Sequence, residues 1–473
     1  MAHSQKSIRD HARNRTHPNL DAQVISQQLE NLVKPCVYNQ LAYYRSLGMR
    51  DRILSLPLML AAVLTLVWRQ VPSVRELNRM LARENLLWAK TTSVSQQALS
   101  QRLLTFPAEL FEGILNELLV TLNHRWHQRQ KRPLPLSMAH ASQYFQRVWI
   151  VDASTLEALF RKLKSLESSG LGKLGGRICA VVDLKTRYPV QTWFDERPYA
   201  HESNFVPDLL KLITPKTLLL LDQGFLKQSL MGYPPCEGAT PKTALLRFWN
   251  YSLFEKLILA QSDFITRLKS NAKYESISIL SQSLTHRDTL VRLGTGYQGN
   301  PILNLRLVEI RHGSSWYRYL TSVLEPNILP PYVVGDLYSR RWRIEEDAMS
   351  EVASDISAVR ESFLLLKRLL GLSYLWTGSI NGIKLQLWAT WLFYAILIDL
   401  LDEVADELTL PTNSISVEMV FRGIYHFSVA LNQGNATDIV AYFTAPENRD
   451  LGIVKSLRPK RAKPPLDLSP TPS

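Results

Sequence analysis

The sequence is poor in cysteine. Cys36, Cys179 and Cys236 are the three in 473 residues, far apart and without a CxxC pair. That excludes a disulfide framework and cysteine-based zinc spacing, and it fits a reducing cytosol. A long unbroken apolar run is missing as well. The best candidates are Ile53 to Trp68, which carries Pro57, and Leu385 to Leu401, which follows Lys384 and contains Asp399. Both fall short of the ~20 residues a membrane-spanning helix needs, so both read as buried core helices. No apolar signal core follows Lys6, Arg9, Arg13 and Arg15. Acidic charge is also in deficit: Asp plus Glu is 42 against 55 Lys plus Arg, a formal charge of +13. An acidic polymer is the partner that this balance favours, and nucleic acid is the commonest one.

What is present divides the chain by texture. Residues 1–140 read as a helical, basic N-terminal region expected to bind DNA. Ser73 stands as an N-cap before Val74-Arg75-Glu76-Leu77, and a second helix follows Thr92-Ser93-Val94-Ser95. Two readings of this pair stand side by side, a DNA-reading helix pair and an ordinary bundle. The run Arg125-Trp126-His127-Gln128-Arg129-Gln130-Lys131-Arg132-Pro133 reads as a solvated linker with incidental DNA contact.

From residue 147 apolar runs of strand length take over: Val148–Asp152, Ile178–Leu184, Val190–Phe194, Thr217–Asp222 and Phe264–Leu268. Helical spacing lies at 201–212 and 253–261. Continuous apolar strands imply a sheet covered on both faces. The order β-β-β-α-β-α-β is that of a ribonuclease-H-like sheet, so the expected class is α/β with that core over 147–274 and 326–370. Residues 275–325 alternate with period two between glycine turns and predict an inserted antiparallel β subdomain. Residues 371–445 read as a C-terminal helical region and 456–473 as a disordered basic, proline-rich tail.

Two strands end in a carboxylate, Asp152 and Asp222. A third acid, Glu345, follows Tyr338 and Arg341 at i, i+3 and i+7, positions that share one helix face. Three converging carboxylates repel one another unless divalent cations lower that cost. Such a set suits phosphoryl transfer assisted by two metal ions. Asp183, with Lys185 and Arg187 close behind, reads as a turn residue. Asp336 points to the other side of the Glu345 helix, and Glu346 lies one step off its face.

From Trp149 to Leu400 the chain resembles a bacterial insertion-sequence DDE transposase of the insertion-sequence-four type. Val-Asp-Ala-Ser at 151–154 resembles the first-aspartate motif of that family, and Leu221-Asp222-Gln223-Gly224 the second. Tyr338, Arg341 and Glu345 fit its Tyr-x2-Arg-x3-Glu-x6-Lys signature at three of four positions. The fourth position departs from it. Val352 stands where lysine is expected, and Lys367 comes 22 residues after Glu345 (367 − 345), as if residues 347–361 were inserted. One straight helix would separate the two by about 33 Å.

The resemblance implies a DNA transposase that cuts element ends and joins 3′ hydroxyls to target DNA. Asp152, Asp222 and Glu345 would be catalytic and would bind two Mg²⁺ ions, with Mn²⁺ as an expected substitute. Tyr338, Arg341 and Lys367 would contact phosphates of the ends. Trp316 or Tyr317 would stack on a flipped base, against the plainer reading of an edge-strand core pair. The partners implied are double-stranded DNA (terminal inverted repeats and target) and a second copy in a DNA-bound homodimer, with no membrane. The location implied is the bacterial cytoplasm, at the nucleoid. The displaced lysine keeps a rival open, a catalytically impaired relic that only binds DNA.

Overall fold

The computed structural model describes residues 22–155, 176–197, 201–222, 225, 251–268, 272–295, 301–342, 370, 376 and 379–455. Glu345, Glu346, Lys367, residues 347–361, Gln223, Gly224, Cys236 and the 456–473 tail lie outside them.

Among the described residues, nine strands form one sheet: β1 (Arg147–Thr155), β2 (Arg177–Asp183), β3 (Pro189–Asp195), β4 (Thr217–Leu221), β5 (Asp263–Arg267), β6 (Tyr274–Gln282), β7 (His286–Leu293), β8 (Leu303–His312) and β9 (Ser315–Thr321). Their order is β3-β2-β1-β4-β5-β9-β8-β7-β6. β1, β4 and β5 run parallel to one another; every other neighbouring pair is antiparallel. The four antiparallel strands after residue 274 extend the central sheet. β9 docks on β5, with Ile265 opposite Thr321, and carries the central sheet outward through β8 and β7 to β6. β5 offered an unpaired edge, and satisfying its backbone groups joins the two sets of strands.

The helices are α1 (Ala22–Asn39), α2 (Leu41–Ser46), α3 (Leu56–Trp68), α4 (Val74–Leu81), α5 (Gln96–Thr105), α6 (Glu109–Gln128), α7 (Leu136–Tyr144), α8 (Val206–Leu212), α9 (Ser252–Leu259), α10 (Pro331–Trp342), α11 (Ile380–Glu407), α12 (Val417–Asn432) and α13 (Ile439–Thr444). The 201–212 segment opens with a 3₁₀ turn, Glu202–Phe205, before α8. Both apolar stretches are core helices: α3 is buried along its length, and the second extends into the 28-residue α11. Among the described residues, no helix is long and apolar enough to cross a membrane.

The N- and C-terminal helical regions do not stand apart. α11 packs against α3, α5 and α6 from the first and α12 and α13 from the second. One apolar core runs from Leu29 to Ile453 and takes in one face of the sheet through Ile150, Val182, Leu220 and Ile265. The opposite face, with Val151, Leu219 and Phe264, packs on α8 and α9. Ser73 and Ser95 cap α4 and α5 by accepting from the amides of Glu76 (3.2 Å) and Ala98 (3.1 Å). Residues 82–95 and a Leu86–Ala89 bridge separate these two helices, a connection too long for the 3–4-residue turn of a helix-turn-helix.

The basic run at 125–133 is also not a solvated linker. Asp399, Asp402, Glu403 and Asp406 line one face of α11 at i, i+3, i+4 and i+7. Arg129 reaches Asp399 (2.8 Å), Asp402 (3.1 Å) and Glu403 (3.0 Å), and Arg125 reaches Asp399 (3.0 Å) and Glu403 (2.7 Å). Arg132 binds Asp402, and the Lys131 and Arg132 amides donate to Asp406 Oδ1 at 2.8 and 3.0 Å. The Tyr188 hydroxyl donates to Asp399 (3.3 Å) and ties this clamp to the sheet.

Candidate active site

Val151 pairs with Leu221 in the parallel ladder of β1 and β4. The next rung brings Asp152 beside Asp222, on the face shared by Ile150 and Leu220, one strand spacing of ~4.8 Å apart. Asp222 directly follows β4. Asp152 does not end its strand as the apolar run suggested, because β1 continues to Thr155 against β2. The first carboxylate thus stands on paired backbone, opposite Ala180.

α10 crosses this face. Val333, Val334 and Leu337 bury its inner side, and Gly335 allows a close approach, since a Cβ there would lie 2.3 Å from Ile310 Cδ1. One turn apart on the same side come Tyr338 and Arg341, both buried. Arg341 Nη2 lies 3.0 Å from Asp222 Oδ1, and Nη1 lies 3.7 Å from Asp152 Oδ1. Nη2 also donates to the Tyr338 hydroxyl (3.0 Å), which donates to the carbonyl of Leu221 (3.3 Å), the residue before Asp222. Burial works against the charge of Arg341, but Tyr338, Asp222 and Asp152 outweigh it and hold its pKa above the ordinary value. The aspartate side chains are 22% and 27% exposed, against 5% for Arg341, so their outer sides face solvent.

The structure thus brings together Asp152, Asp222, Tyr338 and Arg341. Tyr338 and Arg341 turn their described polar contacts inward, to the aspartates and the end of β4. Asp336 faces α7, where Ser137 donates to it, and pairs with Arg340 at 2.9 Å. Asp183 accepts from the amides of Lys185 and Thr186, both at 2.9 Å, and closes the turn after β2. Trp316 and Tyr317 part company. Strand alternation puts Tyr317 on the aspartate face and Trp316 on the opposite one, where the Arg287 guanidinium lies 4.5 Å from its ring centre.

The sequence reading missed Arg267. The β4–β5 register pairs Leu221 with Thr266, so the next rung sets Arg267 beside Asp222 on the same face. It is half-buried, and its guanidinium lies 5.2 Å from the Tyr317 ring centre. Alternation within Phe264–Leu268 was a usable signal: it sends Ile265 and Arg267 to one side.

Two adjacent carboxylates are hard oxygen donors of the kind that Mg²⁺ and Mn²⁺ take, and the guanidinium against both shows that their surroundings accept positive charge. They fit a divalent cation. No group of three or more His, Cys, Asp or Glu side chains able to hold a metal occurs among the described residues.

Residues 143–347 match the family model of the transposase DDE domain. That span runs from the end of α7 through α10 and contains Asp152, Asp222, Tyr338, Arg341 and Glu345; it supports a DDE transposase. Among solved structures, a cryo-EM structure of the piggyBac transposase synaptic complex with hairpin DNA is similar over 92% of this chain and 84% of that one. Identity there is 12% and the TM-score 0.35, too loose a likeness to carry an argument. No curated protein matches the chain.

Proposed function

We propose that the protein is a DDE transposase of the insertion-sequence-four type, with a ribonuclease-H-like core. It would cut the ends of its element and join the 3′ hydroxyls to target DNA. The observation that carries this reading is the β1–β4 register, which sets Asp152 and Asp222 side by side under Arg341. The strand order β3-β2-β1-β4-β5, with its last three strands parallel, supports the core assignment.

Asp152 and Asp222 would hold divalent cations together with Glu345. When bound, Mg²⁺ or Mn²⁺ supplies charge stabilisation to an in-line displacement at phosphorus. The chain's own residues prepare the place. Backbone pairing of β1 fixes Asp152, Tyr338 anchors Arg341 to the end of β4, and Arg267 offers a cation on the neighbouring rung for a DNA phosphate. Tyr317, with one sheet face in common with the aspartates, is favoured over Trp316 as the aromatic that stacks on a base. DNA as partner also accords with the net charge of +13.

Asp152→Asn and Asp222→Asn are expected to abolish Mg²⁺-dependent cleavage of DNA carrying the cognate ends, and to leave binding to those ends intact in a mobility-shift assay. Cleavage at the native rate by either folded variant removes that residue from the site. The relic reading rests on the 22-residue step from Glu345 to Lys367. Absence of nicking by the native chain, with end binding retained, would decide for it.

A further inference from the structure

Arg341 touches both aspartates of the candidate metal site from a buried position. Its Nη2 is 3.0 Å from Asp222 Oδ1, its Nη1 3.7 Å from Asp152 Oδ1, and the Tyr338 hydroxyl, itself tied to the Leu221 carbonyl, holds it there. We propose that Arg341 is a positioning residue that acts as the resident cation of the aspartate pair: it holds the two carboxylates together before metal arrives, and a divalent cation must compete with it for them. The proposal rests on the metal-binding reading above and adds to it a control on loading.

Two carboxylates on adjacent strands repel each other, and a guanidinium fixed between them removes most of that repulsion. The same contact weakens their pull on any other cation. Both effects come from one side chain 5% exposed, where solvent screens little. Arginine keeps its proton at any working pH, so it yields by moving and not by titrating. The outward movement would free a guanidinium beside the metal site, next to the position where Arg267 already stands. A phosphate arriving with metal would offer Arg341 a new partner and lower the cost of its release. Metal and DNA would then load together more readily than either alone, since each removes an obstacle to the other.

The test measures Mn²⁺ binding by the full-length, DNA-free protein, by calorimetry and by the Mn²⁺ spin-resonance signal. Arg341→Gln is expected to bind Mn²⁺ at least about tenfold tighter than the native chain, because a competing charge is gone. Arg341→Lys, which keeps the charge but reaches one carboxylate at a time, should fall between them. In the native chain, the Arg341 Nε nitrogen resonance, assigned through Arg341→Lys, should shift when Mg²⁺ is added to saturation. That measurement is made on the native chain, and the lysine variant serves only the assignment. Asp152→Asn and Asp222→Asn should lose Mn²⁺ affinity. Equal or weaker Mn²⁺ binding by folded Arg341→Gln, while the aspartate variants lose theirs, overturns the competition and leaves the metal-binding reading standing. An Arg341 resonance unmoved by saturating Mg²⁺ has the same consequence. Native Mn²⁺ affinity in both aspartate variants overturns the metal-binding reading, and the competition with it.

Discussion

Two places in this molecule are built from the same parts. In the clamp, Arg125, Arg129 and Arg132 face Asp399, Asp402, Glu403 and Asp406; in the candidate active site, Arg341 faces Asp152 and Asp222. Burial pushes the pKa of both Arg129 and Arg341 down; Asp399, Asp402 and Glu403 more than reverse it for the first, and Tyr338 with Asp222 and Asp152 for the second. The difference lies in closure. Asp399 and Asp402 are each 3% exposed, whereas Asp152 and Asp222 keep 22% and 27%. A carboxylate shut in by guanidinia and backbone amides is a structural joint. One held from behind by an arginine, with an outer side in water, leaves room for a second cation. Geometry therefore separates a joint from a site where residue types do not.

Breaking each arginine contact should separate the two most sharply. Arg129→Ala takes from Asp399 and Asp402, each shut in at 3% exposure, a guanidinium that they share, and should cost about 3–5 kcal/mol in urea unfolding. Arg341→Gln leaves its aspartates able to hydrate, and should cost about 1–2 kcal/mol. Saturating Mn²⁺ should restore most of the second loss and none of the first. Equal costs, or rescue of Arg129→Ala by Mn²⁺, would erase the distinction.

A smaller effect tests the edge of the site. Arg267 is half-buried beside Asp222. Arg267→Ala should weaken end binding and reduce the slope of log K against log salt by about 1, with a stability change within about 0.5 kcal/mol. Trp316→Ala, across the sheet, should leave the salt slope alone. An unchanged slope for Arg267→Ala would confine the phosphate contacts to other residues.

What the sequence makes legible follows from the range of each interaction. Strand runs such as Thr217–Leu221 and caps such as Ser73 are local, and they stand where the pattern puts them. The aspartate positions were legible because apolar runs led up to them. The continuation of β1 past Asp152 was not, because Ala153, Ser154 and Thr155 are held by pairing with Cys179, Ile178 and Arg177 and not by their own apolarity. The basic run misled for a similar reason. Arg129 meets Asp399 across 270 positions, and no local pattern shows that its charge is already matched. Likewise, period-two strands after residue 274 announce a sheet but not the edge it joins. The pairing of β9 with β5 is set by long-range register. Net charge has the same blindness: it counts cations without saying which are already engaged.

The smallest effect concerns a carboxylate with a hydroxyl beside it where the others have a guanidinium. Asp263 opens β5, and its Oδ1 accepts from Ser322 Oγ at 2.7 Å. Burial raises its pKa, and Glu325 adds to this; the Ser322 hydrogen bond opposes them and loses. A folded pKa above the unfolded one means that the ionised group subtracts stability at neutral pH. The penalty shrinks as pH falls through the folded pKa and is gone below the ordinary carboxylate range. Asp263→Asn removes the charge and keeps an acceptor for Ser322. It should therefore be more stable than the native chain at pH 7, by less than about 1 kcal/mol, with the gap closing by about pH 4. Urea midpoints at pH 7, 5 and 4 read this directly. A gap that stays constant, or widens on acidification, would mean that Asp263 is held as an anion, and that a hydroxyl alone can close this carboxylate.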